Sequence, residues 1–416
     1  MQYTITAPHK LNANISLPSS KSISNRALII YALSGGRMLP QNLSDCDDTE
    51  VIIEAMRYMP ETINIKAAGT AMRFMTAYLS VMRGTHTITG TERMRHRPIK
   101  VLVDALRNLG ASIEYAGEEG FPPLRITGRT LTGGVLEIPG NVSSQYISAL
   151  LMIGPVLKEG LELHLTGDII SRPYIDLTLW LMREFGADAE WSAGDTISVK
   201  PKPYQSKEYF IENDWSGASY WYEMVALSQD RDITIQLSGL TDGSKQGDSV
   251  VKYIFSLLGV KTIFETKEEG QLQFVTLKKS GRCVPRLEYD FVNSPDLAQT
   301  IVVTCCILGV PFYFRGLATL KIKETDRIEA LKNEMRKLGY VLTDKNDSEL
   351  IWDGTRCEPD ADAGIDTYED HRMALAFAPV SMRQDISINN PQVVSKSYPH
   401  FWHDLQNAGF IIKETK

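Results

Sequence analysis

The chain is short of cysteine, of long hydrophobic runs and of excess positive charge, and each shortage argues against a class of protein. Only five of its 416 residues are cysteine, an odd number without the spacing of a zinc site, which favours reduced thiols in a cytosolic protein. The longest apolar run, residues 300–314, contains Gly309 and Pro311 and predicts a buried element, not a membrane span. The first eight residues are neither basic nor apolar, so no secretory signal is predicted.

The charge balance points to a small anionic ligand. The formal net charge is −7, whereas a general nucleic-acid binder normally has a basic balance. Several short stretches are nevertheless basic, and an acidic chain with basic loops predicts a focused site for a small anion. A length of 416 residues exceeds what one hydrophobic core usually supports, so we expect two domains.

A helix, a glycine and a strand recur along the chain. The glycines lie 70 to 80 residues apart, and each is expected to end its helix in the left-handed conformation; they are Gly110, Gly186, Gly259, Gly339 and Gly409. A weaker sixth copy covers residues 55–60, where Pro60 is expected to end the helix. Six units of this length are small α/β modules, and three per domain would make two similar domains.

The domain boundaries follow from the same pattern. We predict one domain from residues 21–212 and a second from residues 1–20 together with 213–416, because the extended N-terminal piece fits the C-terminal half. The turn-rich passage 211–217 is the expected second crossing. Two domains joined by two short stretches of chain are suited to closing over a ligand.

The stretch Leu17–Arg26, with sequence LPSSKSISNR, has the strongest ligand-binding pattern. Pro18 and two serines predict a capped helix start, and we expect the first turn to carry Lys21, Ser22 and Arg26. Two cations and a hydroxyl beside a positive helix end would hold a phosphate or a carboxylate. A capped surface helix with solvated charges explains this stretch equally well.

Four further stretches combine helix starts with groups that bind anions. They are Ala68–Arg73 (AGTAMR), Arg93–Pro98 (RMRHRP), Ser143–Tyr146 (SSQY) and Ser171–Tyr174 (SRPY). Glycine allows a close backbone approach to an anion, and an arginine can grip a carboxylate or phosphate with two hydrogen bonds. Hydroxyl and amide groups suit a polyhydroxylated ring, yet they also cap helices, and the basic loop could be only a solvated surface.

Two acids stand out near the C-terminal end of the chain. Asp296 lies in the first turn of a predicted helix, where a carboxylate is favourable for electrostatic reasons alone. Glu324 lies between basic residues in KETDR (323–327), and Asp326 with Glu329 resembles a capping arrangement. An acid among cations suits proton transfer. DHRM (370–373) and SKSYP (395–399) are the last two clusters, in which His371 could equally be a surface histidine and Lys396 a loop lysine.

Together and in this order, these stretches resemble the 5-enolpyruvylshikimate-3-phosphate (EPSP) synthases. The resemblance spans essentially the whole chain and depends on nine motifs in register: LPSSKSISNRAL (17–28), AGTAMR (68–73), RPI (97–99), SSQ (143–145), SRPYID (171–176), PD (295–296), KETDR (323–327), DHRMA (370–374) and SKSYPHF (395–401). It implies an α/β fold of two similar domains, each an inside-out α/β barrel of three βαβαββ repeats, joined by a two-strand hinge.

The resemblance also implies the reaction. Members transfer the enolpyruvyl group of phosphoenolpyruvate to the 5-hydroxyl of shikimate 3-phosphate and release phosphate, through domain closure and a tetrahedral intermediate. This step of the shikimate pathway leads to chorismate and the aromatic amino acids. The resemblance implies a cytoplasmic monomer without cofactor or metal, and neither a nucleic acid nor a membrane is an expected partner.

Roles are implied residue by residue. Asp296 would be the base for the 5-hydroxyl, Glu324 the acid that protonates the methylene carbon, and Lys21 a third catalytic residue. The residues implied to bind shikimate 3-phosphate are Lys21, Ser22, Arg26, Ser143, Ser144, Gln145, Ser171, Tyr174, Asp296 and Lys323. Those implied to bind phosphoenolpyruvate are Lys21, Gly69, Arg97, Gln145, Arg327, Arg372 and Lys396. Arg73 and His371 are additional candidates.

Four positions depart from the family pattern. Ala67 replaces an asparagine before AGT, so that a hydrogen bond on the phosphoenolpyruvate side is either lost or supplied by another residue. Phe74 stands where proline is frequent, which could shift the helix that carries Gly69 and alter the response to glyphosate. Thr319 stands where an asparagine often contacts shikimate phosphate, and Ser19 replaces a glycine. None of the four is a proposed proton-transfer acid.

Two other functions are compatible with parts of this pattern. The enolpyruvyl transferase that acts on UDP-N-acetylglucosamine shares the fold, but its loop cysteine has no counterpart in residues 85–100. A non-catalytic sensor of phosphorylated metabolites would explain Ala67, but it would not need Asp296 and Glu324. A sensor would bind both substrates without turnover.

Overall fold

The computed structural model describes residues 1–265, 274–361 and 364–415. The chain divides into two compact units. The inserted unit is Ser19–Ile211, and the terminal unit combines Met1–Pro18 with Glu212–Lys416. Each unit has its own hydrophobic core, because the two clusters of buried apolar side chains contain no residue in common.

The described residues form twenty strands. They are β1 (Gln2–Thr6), β2 (Asn12–Ser16), β3 (Thr62–Asn64), β4 (Gly84–Thr89), β5 (Ser112–Tyr115), β6 (Leu124–Gly128), β7 (Gly134–Pro139), β8 (Leu161–Thr166), β9 (Ala189–Trp191), β10 (Thr196–Val199), β11 (Thr234–Ser238), β12 (Leu258–Glu265), β13 (Phe274–Cys283), β14 (Leu287–Asp290), β15 (Phe312–Arg315), β16 (Thr343–Lys345), β17 (Glu349–Trp352), β18 (Gly364–Ile365), β19 (Ile386–Asn389) and β20 (Ile411–Thr415).

Thirteen α-helices lie in the same described ranges. They are α1 (Lys21–Leu33), α2 (Asp47–Tyr58), α3 (Gly69–Val81), α4 (Glu92–Arg95), α5 (Lys100–Asn108), α6 (Ser144–Ile153), α7 (Arg172–Glu184), α8 (Trp215–Leu227), α9 (Val251–Leu257), α10 (Ala298–Leu308), α11 (Arg327–Lys337), α12 (His371–Phe377) and α13 (Phe401–Asn407). Short 3₁₀-helices include Gly247–Val250, Pro295–Leu297, Ala318–Ile322 and Pro391–Lys396.

Five four-stranded sheets in the described ranges share one connectivity. Their strand orders are β3-β4-β6-β5 and β7-β8-β10-β9 in the inserted unit, and β2-β11-β13-β12, β14-β15-β17-β16 and β18-β19-β1-β20 in the terminal unit. In each, the first two strands are parallel and the other neighbours are antiparallel. The N-terminal strands β1 and β2 complete two sheets of the terminal unit. The predicted α/β class with repeated modules is confirmed.

The sixth predicted repeat differs from the other five. In place of a sheet, the described part of that segment forms α1, α2 and one isolated parallel bridge between Gln41 and Phe210. Residues 34–46 are rich in glycine, proline, asparagine and aspartate and have no β-branched residue, a composition that disfavours strands. Helix α2 ends at the left-handed residue Met59, one residue before the proline that was expected to end it.

Buried helices form the cores. Helices α8, α10 and α12 of the terminal unit expose almost no side chain, and α10 packs against both of the others. In the inserted unit, α1 packs against α3, α6 and α7. No helix in the described part of the chain is long and apolar enough to cross a membrane.

The five repeat glycines confirm the local prediction. Gly110, Gly186, Gly259, Gly339 and Gly409 have φ angles between 82° and 98°. A side chain disfavours this left-handed backbone, so glycine at these positions allows the chain to turn from each helix towards the next strand.

Candidate active site

Helix α1 begins as the sequence predicts. The Ser20 hydroxyl accepts a hydrogen bond from the Ile23 amide at 3.4 Å and caps the helix. In the first turn, the Lys21 ammonium lies 3.3 Å from a carboxylate oxygen of the buried Asp48. Asp48 lies near the start of α2, so the packing of α1 on α2 fixes where the Lys21 ammonium is held.

Arg26 lies in the second turn of α1, not in the first turn as predicted, and its side chain is buried. Its guanidinium donates to the hydroxyls of Thr178 (2.7 Å) and Ser148 (3.2 Å) and to the Ser22 carbonyl (2.9 Å). It also lies 5.3 Å from the centre of the Phe74 ring. No carboxylate pairs with Arg26 among the residues that the structure describes, and burial lowers its pKa to about 10.

The start of α3 holds a second group of cations. A Cβ atom on Gly69 would lie 2.7 Å from Nη1 of Arg97, so the Arg97 guanidinium rests directly against the glycine. Arg73 donates to the carbonyls of Gly69 (3.0 Å) and Pro98 (3.3 Å). Arg97 is half-buried, and within the described ranges its guanidinium has neither an ion-pair partner nor a hydrogen-bond partner. A helix N-terminus and an uncompensated guanidinium thus adjoin, which favours an anion.

The start of α6 joins this group. Ser143 caps the helix by accepting from the Gln145 amide at 3.4 Å, and the Gln145 side chain donates to the Thr70 hydroxyl of α3 at 3.1 Å. Ser144 is buried beside them. The predicted SSQ and AGT motifs therefore meet within the inserted unit.

The start of α7 meets the Arg26 group instead. Ser171 is buried and has a left-handed backbone, with φ 54°, and Tyr174 is half-buried. The Tyr174 carbonyl accepts hydrogen bonds from Thr178 (2.8 Å) and from Arg26 (3.4 Å). The exposed residues Arg93, Arg95 and His96 are absent from both groups.

In the terminal unit, Asp296 binds three cations. It lies in the 3₁₀-turn before α10, and its carboxylate oxygens are 3.0 Å from Arg372, 3.1 Å from Arg327 and 3.6 Å from Lys323. Burial alone would raise its pKa, but the charges of Arg372, Lys323 and Arg327 outweigh that effect and hold the pKa well below its usual range. Asp296 is therefore ionised at neutral pH.

Glu324 binds two cations. One carboxylate oxygen lies 2.9 Å from the Arg327 guanidinium, and the other lies 2.9 Å from the Lys396 ammonium. Asp326 caps α11 by accepting a hydrogen bond from the Glu329 amide, as predicted. Glu324 is therefore not needed as the cap of this helix. The Glu324 side chain is 15% exposed, which leaves part of the carboxylate accessible to a substrate.

Arg327 links the two acids. Its side chain is 1% exposed and bonds to Asp296, to Glu324 and, at 2.7 Å and 3.3 Å, to both oxygens of Asp370. Burial would lower its pKa, but the three carboxylates raise it instead. Arg327 thus stays charged and fixes Asp296 and Glu324 relative to each other.

The DHRM motif forms the start of α12. Asp370 caps the helix by accepting from the Arg372 amide at 2.9 Å, and the Arg372 guanidinium donates to the Tyr220 hydroxyl at 3.3 Å. His371 is 2% exposed, so the surface-histidine interpretation is wrong: the short helix α12 is buried on all sides.

The sequence prediction gave no role to four polar residues of this network, although one of them, Asp370, belongs to the DHRM cluster. Asp370 and Tyr220 contact the arginines directly. Asp248 is buried, accepts a hydrogen bond from the Ser216 hydroxyl, and has its pKa raised to about 6 by burial and by the negative charge of Asp296. Asp370 directly precedes the predicted residues His371 and Arg372, and that adjacency was the available signal. Tyr220, Asp248 and Ser216 have no such signal in the sequence.

The four departures lie in different surroundings. Phe74 is fully buried under Arg26, and Ser19 is buried, whereas Ala67 is exposed. The Thr319 hydroxyl is buried and has no hydrogen-bond partner within the described ranges. Phe74 contacts the predicted substrate-binding side chain Arg26 directly.

Comparisons with known proteins identify the family. The model of the EPSP synthase family, described as EPSP synthase (3-phosphoshikimate 1-carboxyvinyltransferase), matches residues 5–65 and 59–405. A Bacteroides fragilis protein named 3-phosphoshikimate 1-carboxyvinyltransferase is 62% identical over 414 residues, covering 99% of each chain. The chain belongs to the EPSP synthase family.

More distant proteins agree. A Sulfurovum protein of the same name is 32% identical over 430 aligned positions, covering 95% of this chain and 96% of its own. Among solved structures, an EPSP synthase from Acinetobacter baumannii superposes with a TM-score of 0.79 at 21% identity and covers the whole of both chains. That last likeness concerns the fold alone, and it agrees with the two-domain α/β architecture.

Proposed function

We propose that this chain transfers the enolpyruvyl group of phosphoenolpyruvate to the 5-hydroxyl of shikimate 3-phosphate and releases phosphate. Family membership supports the reaction. The observation that carries the assignment of roles is the pair of carboxylates Asp296 and Glu324, which one buried guanidinium, Arg327, holds in fixed geometry. The reaction needs one group that accepts a proton and another that gives one.

Asp296 would accept the proton of the 5-hydroxyl. Its three cations keep it ionised, which makes it an available acceptor but a weak base. Binding of two anionic substrates would divert part of the charge of Arg372 and Lys323 towards the substrates. The proton affinity of Asp296 would then rise at the point where the hydroxyl must be deprotonated.

Glu324 would give the proton to the methylene carbon of phosphoenolpyruvate. As the 5-oxygen bonds to the adjacent carbon, the carbon–carbon double bond becomes a methyl group, and the result is a tetrahedral intermediate that still carries phosphate. Loss of phosphate, together with return of one methyl proton to the Glu324 carboxylate, then restores the double bond. Lys396, whose ammonium lies 2.9 Å from Glu324, would bind the phosphoenolpyruvate anion.

The inserted unit would supply most of the binding groups. We assign shikimate 3-phosphate to Lys21, Ser22, Arg26, Ser143, Ser144, Gln145, Ser171 and Tyr174, with Asp296 and Lys323 from the terminal unit. We assign phosphoenolpyruvate to Lys21, Gly69, Arg97, Gln145, Arg327, Arg372 and Lys396. The lack of carboxylate partners for Arg26 and Arg97 within the described ranges supports this assignment, because such cations favour an anionic ligand.

The predicted domains 21–212 and 1–20 with 213–416 divide these roles between them. We propose that their closure brings both sets of groups to one substrate pair, and that the enzyme acts in the cytoplasm as a monomer without a cofactor.

Turnover by three variants tests the assignment. Asp296→Asn and Glu324→Gln should each lower kcat by about 10²–10⁴-fold, the usual contribution of a general acid or base. Glu288→Gln changes an exposed carboxylate paired with Arg286 and should retain full activity. Phosphate release with both substrates is the measurement. A near-normal rate in either acid variant would show that the substituted residue is not the proton-transfer group. If the unmodified chain bound both substrates without releasing phosphate, it would be a sensor and not an enzyme.

A further inference from the structure

Helix α11 contacts the segment 366–370, which leads into α12, through two of its side chains. At its first residue, Arg327 binds Asp370. About two helical turns later, the buried Glu334 accepts hydrogen bonds from the Asp366 amide at 2.9 Å and from the Tyr368 hydroxyl at 2.7 Å. The turn 366–369, which runs directly into the cap of α12, is therefore tied to the same helix that carries Arg327.

The backbone of this turn is strained. Tyr368 and Glu369 have φ angles of 53° and 56°, the left-handed region that side chains disfavour. Two consecutive residues in this conformation persist only where their surroundings hold them. Glu334 supplies that hold from inside the unit, since it is completely buried.

The carboxylate of Glu334 is itself well supported. Lys337, one turn further along α11, places its ammonium 2.8 Å from Glu334 and 2.8 Å from Asp366. The charge of Glu334 is thus balanced, and both of its oxygens are engaged. Such a paired, buried acceptor gives a fixed anchor for the Tyr368 hydroxyl.

We propose that Glu334 and Tyr368 are positioning residues for the transfer reaction: they hold the turn 366–369 so that Asp370 orients Arg327 and the start of α12 directs Arg372 towards Asp296. This inference rests on the proposed roles of Arg327 and Arg372. Neither positioning residue has to touch a substrate; each acts through Asp370.

Substitution of the hydroxyl tests the proposal. Tyr368→Phe should raise KM for phosphoenolpyruvate about tenfold, since a hydrogen bond to a charged group is commonly worth roughly that factor, and should change KM for shikimate 3-phosphate much less. Tyr313→Phe is the control, because Glu349 also acts on the Tyr313 hydroxyl and raises its pKa, but Tyr313 lies on β15. It should leave both KM values unchanged. Glu334→Gln gives a second, independent loss of the anchor.

A rescue variant separates positioning from simple stabilisation. Glycine adopts a left-handed backbone without strain, so adding Glu369→Gly to Tyr368→Phe should bring KM for phosphoenolpyruvate part of the way back. Unchanged KM values in Tyr368→Phe and Glu334→Gln, with only a lower melting temperature, would overturn the proposal, and so would a raised KM that the glycine does not reduce. Arg372→Lys is measured alongside: if it leaves KM for phosphoenolpyruvate unchanged, the site assignment itself is wrong.

Discussion

The two units hold their cations in contrasting ways. In the inserted unit, Arg26 is surrounded by hydroxyls, carbonyls and a ring, and Arg97 lies against a glycine at a helix start. In the terminal unit, Arg327, Arg372 and Lys396 each contact a carboxylate within 3.1 Å. Arg26 and Arg97 therefore have no carboxylate partner within the described ranges, although Lys21 of the same unit pairs with Asp48, whereas the cations of the terminal unit belong to a network in which charges balance.

This difference matches two tasks of the reaction. Uncompensated cations attract and hold anions, and they gain most when a phosphate or carboxylate arrives. Balanced cations hold carboxylates in place and set their proton affinity, which is what acid–base chemistry needs. A variant should therefore have different consequences for stability and catalysis according to the unit in which it lies.

The largest expected effect is that of Arg327→Lys. A lysine cannot span Asp296, Glu324 and Asp370 with one planar fork, so part of a buried network loses its partner. We expect the free energy of unfolding to fall by about 3 kcal/mol, at the lower end of the usual cost of breaking a buried ion pair, and kcat to fall more than about 100-fold. Denaturant unfolding and phosphate release measure the two effects. If Arg327→Lys unfolded with the same free energy as the wild type, the network would not contribute to the stability of the fold.

Asp248 should give the terminal unit a distinctive pH dependence. Its pKa rises from the usual value near 4 to about 6 on folding, so the folded state binds the proton more tightly. This contribution to stability is complete below about pH 4 and is lost as the pH rises through 6, a change of about 3 kcal/mol. Asp248→Asn should flatten this slope in unfolding measurements between pH 4 and 7. A variant as steep as the wild type would contradict the account.

Arg97→Gln should show the opposite behaviour to Arg327→Lys. Because Arg97 has no ion pair within the described ranges, its loss should change the free energy of unfolding by less than about 0.5 kcal/mol. KM for phosphoenolpyruvate should rise about tenfold or more, because the charge-assisted hydrogen bonds that Arg97 would make to this substrate are lost. A substantial loss of stability with unchanged KM would reverse the comparison between the units.

Gly69→Ala should produce a smaller version of the same effect. The added Cβ would lie 2.7 Å from Nη1 of Arg97, and the end of that flexible side chain can move aside. We expect KM for phosphoenolpyruvate to rise about threefold with little change in melting temperature. Gly243→Ala is the control, because its Cβ would meet nothing within 4 Å. Equal KM values for the two variants would show that Arg97 does not depend on the glycine.

Local structure could be predicted from the sequence, but charge pairing could not. The caps at Ser20 and Asp326 and the left-handed glycines depend on neighbouring residues, and all are observed. The pairing of Arg327 with Asp370 joins positions 43 apart, and the depth of Arg26 depends on how α1 packs against α7. Such contacts follow from tertiary packing, which periodicity does not encode.

The most direct measurement is equilibrium binding of shikimate 3-phosphate to the intact chain by calorimetry. In the proposed mechanism, the inserted unit mainly holds this anion and the terminal unit carries out proton transfer. Lys21→Gln should weaken binding at least about tenfold, whereas Glu324→Gln should bind within about threefold of the wild type while losing turnover. Loss of binding in Glu324→Gln, or wild-type binding in Lys21→Gln, would contradict this division of roles.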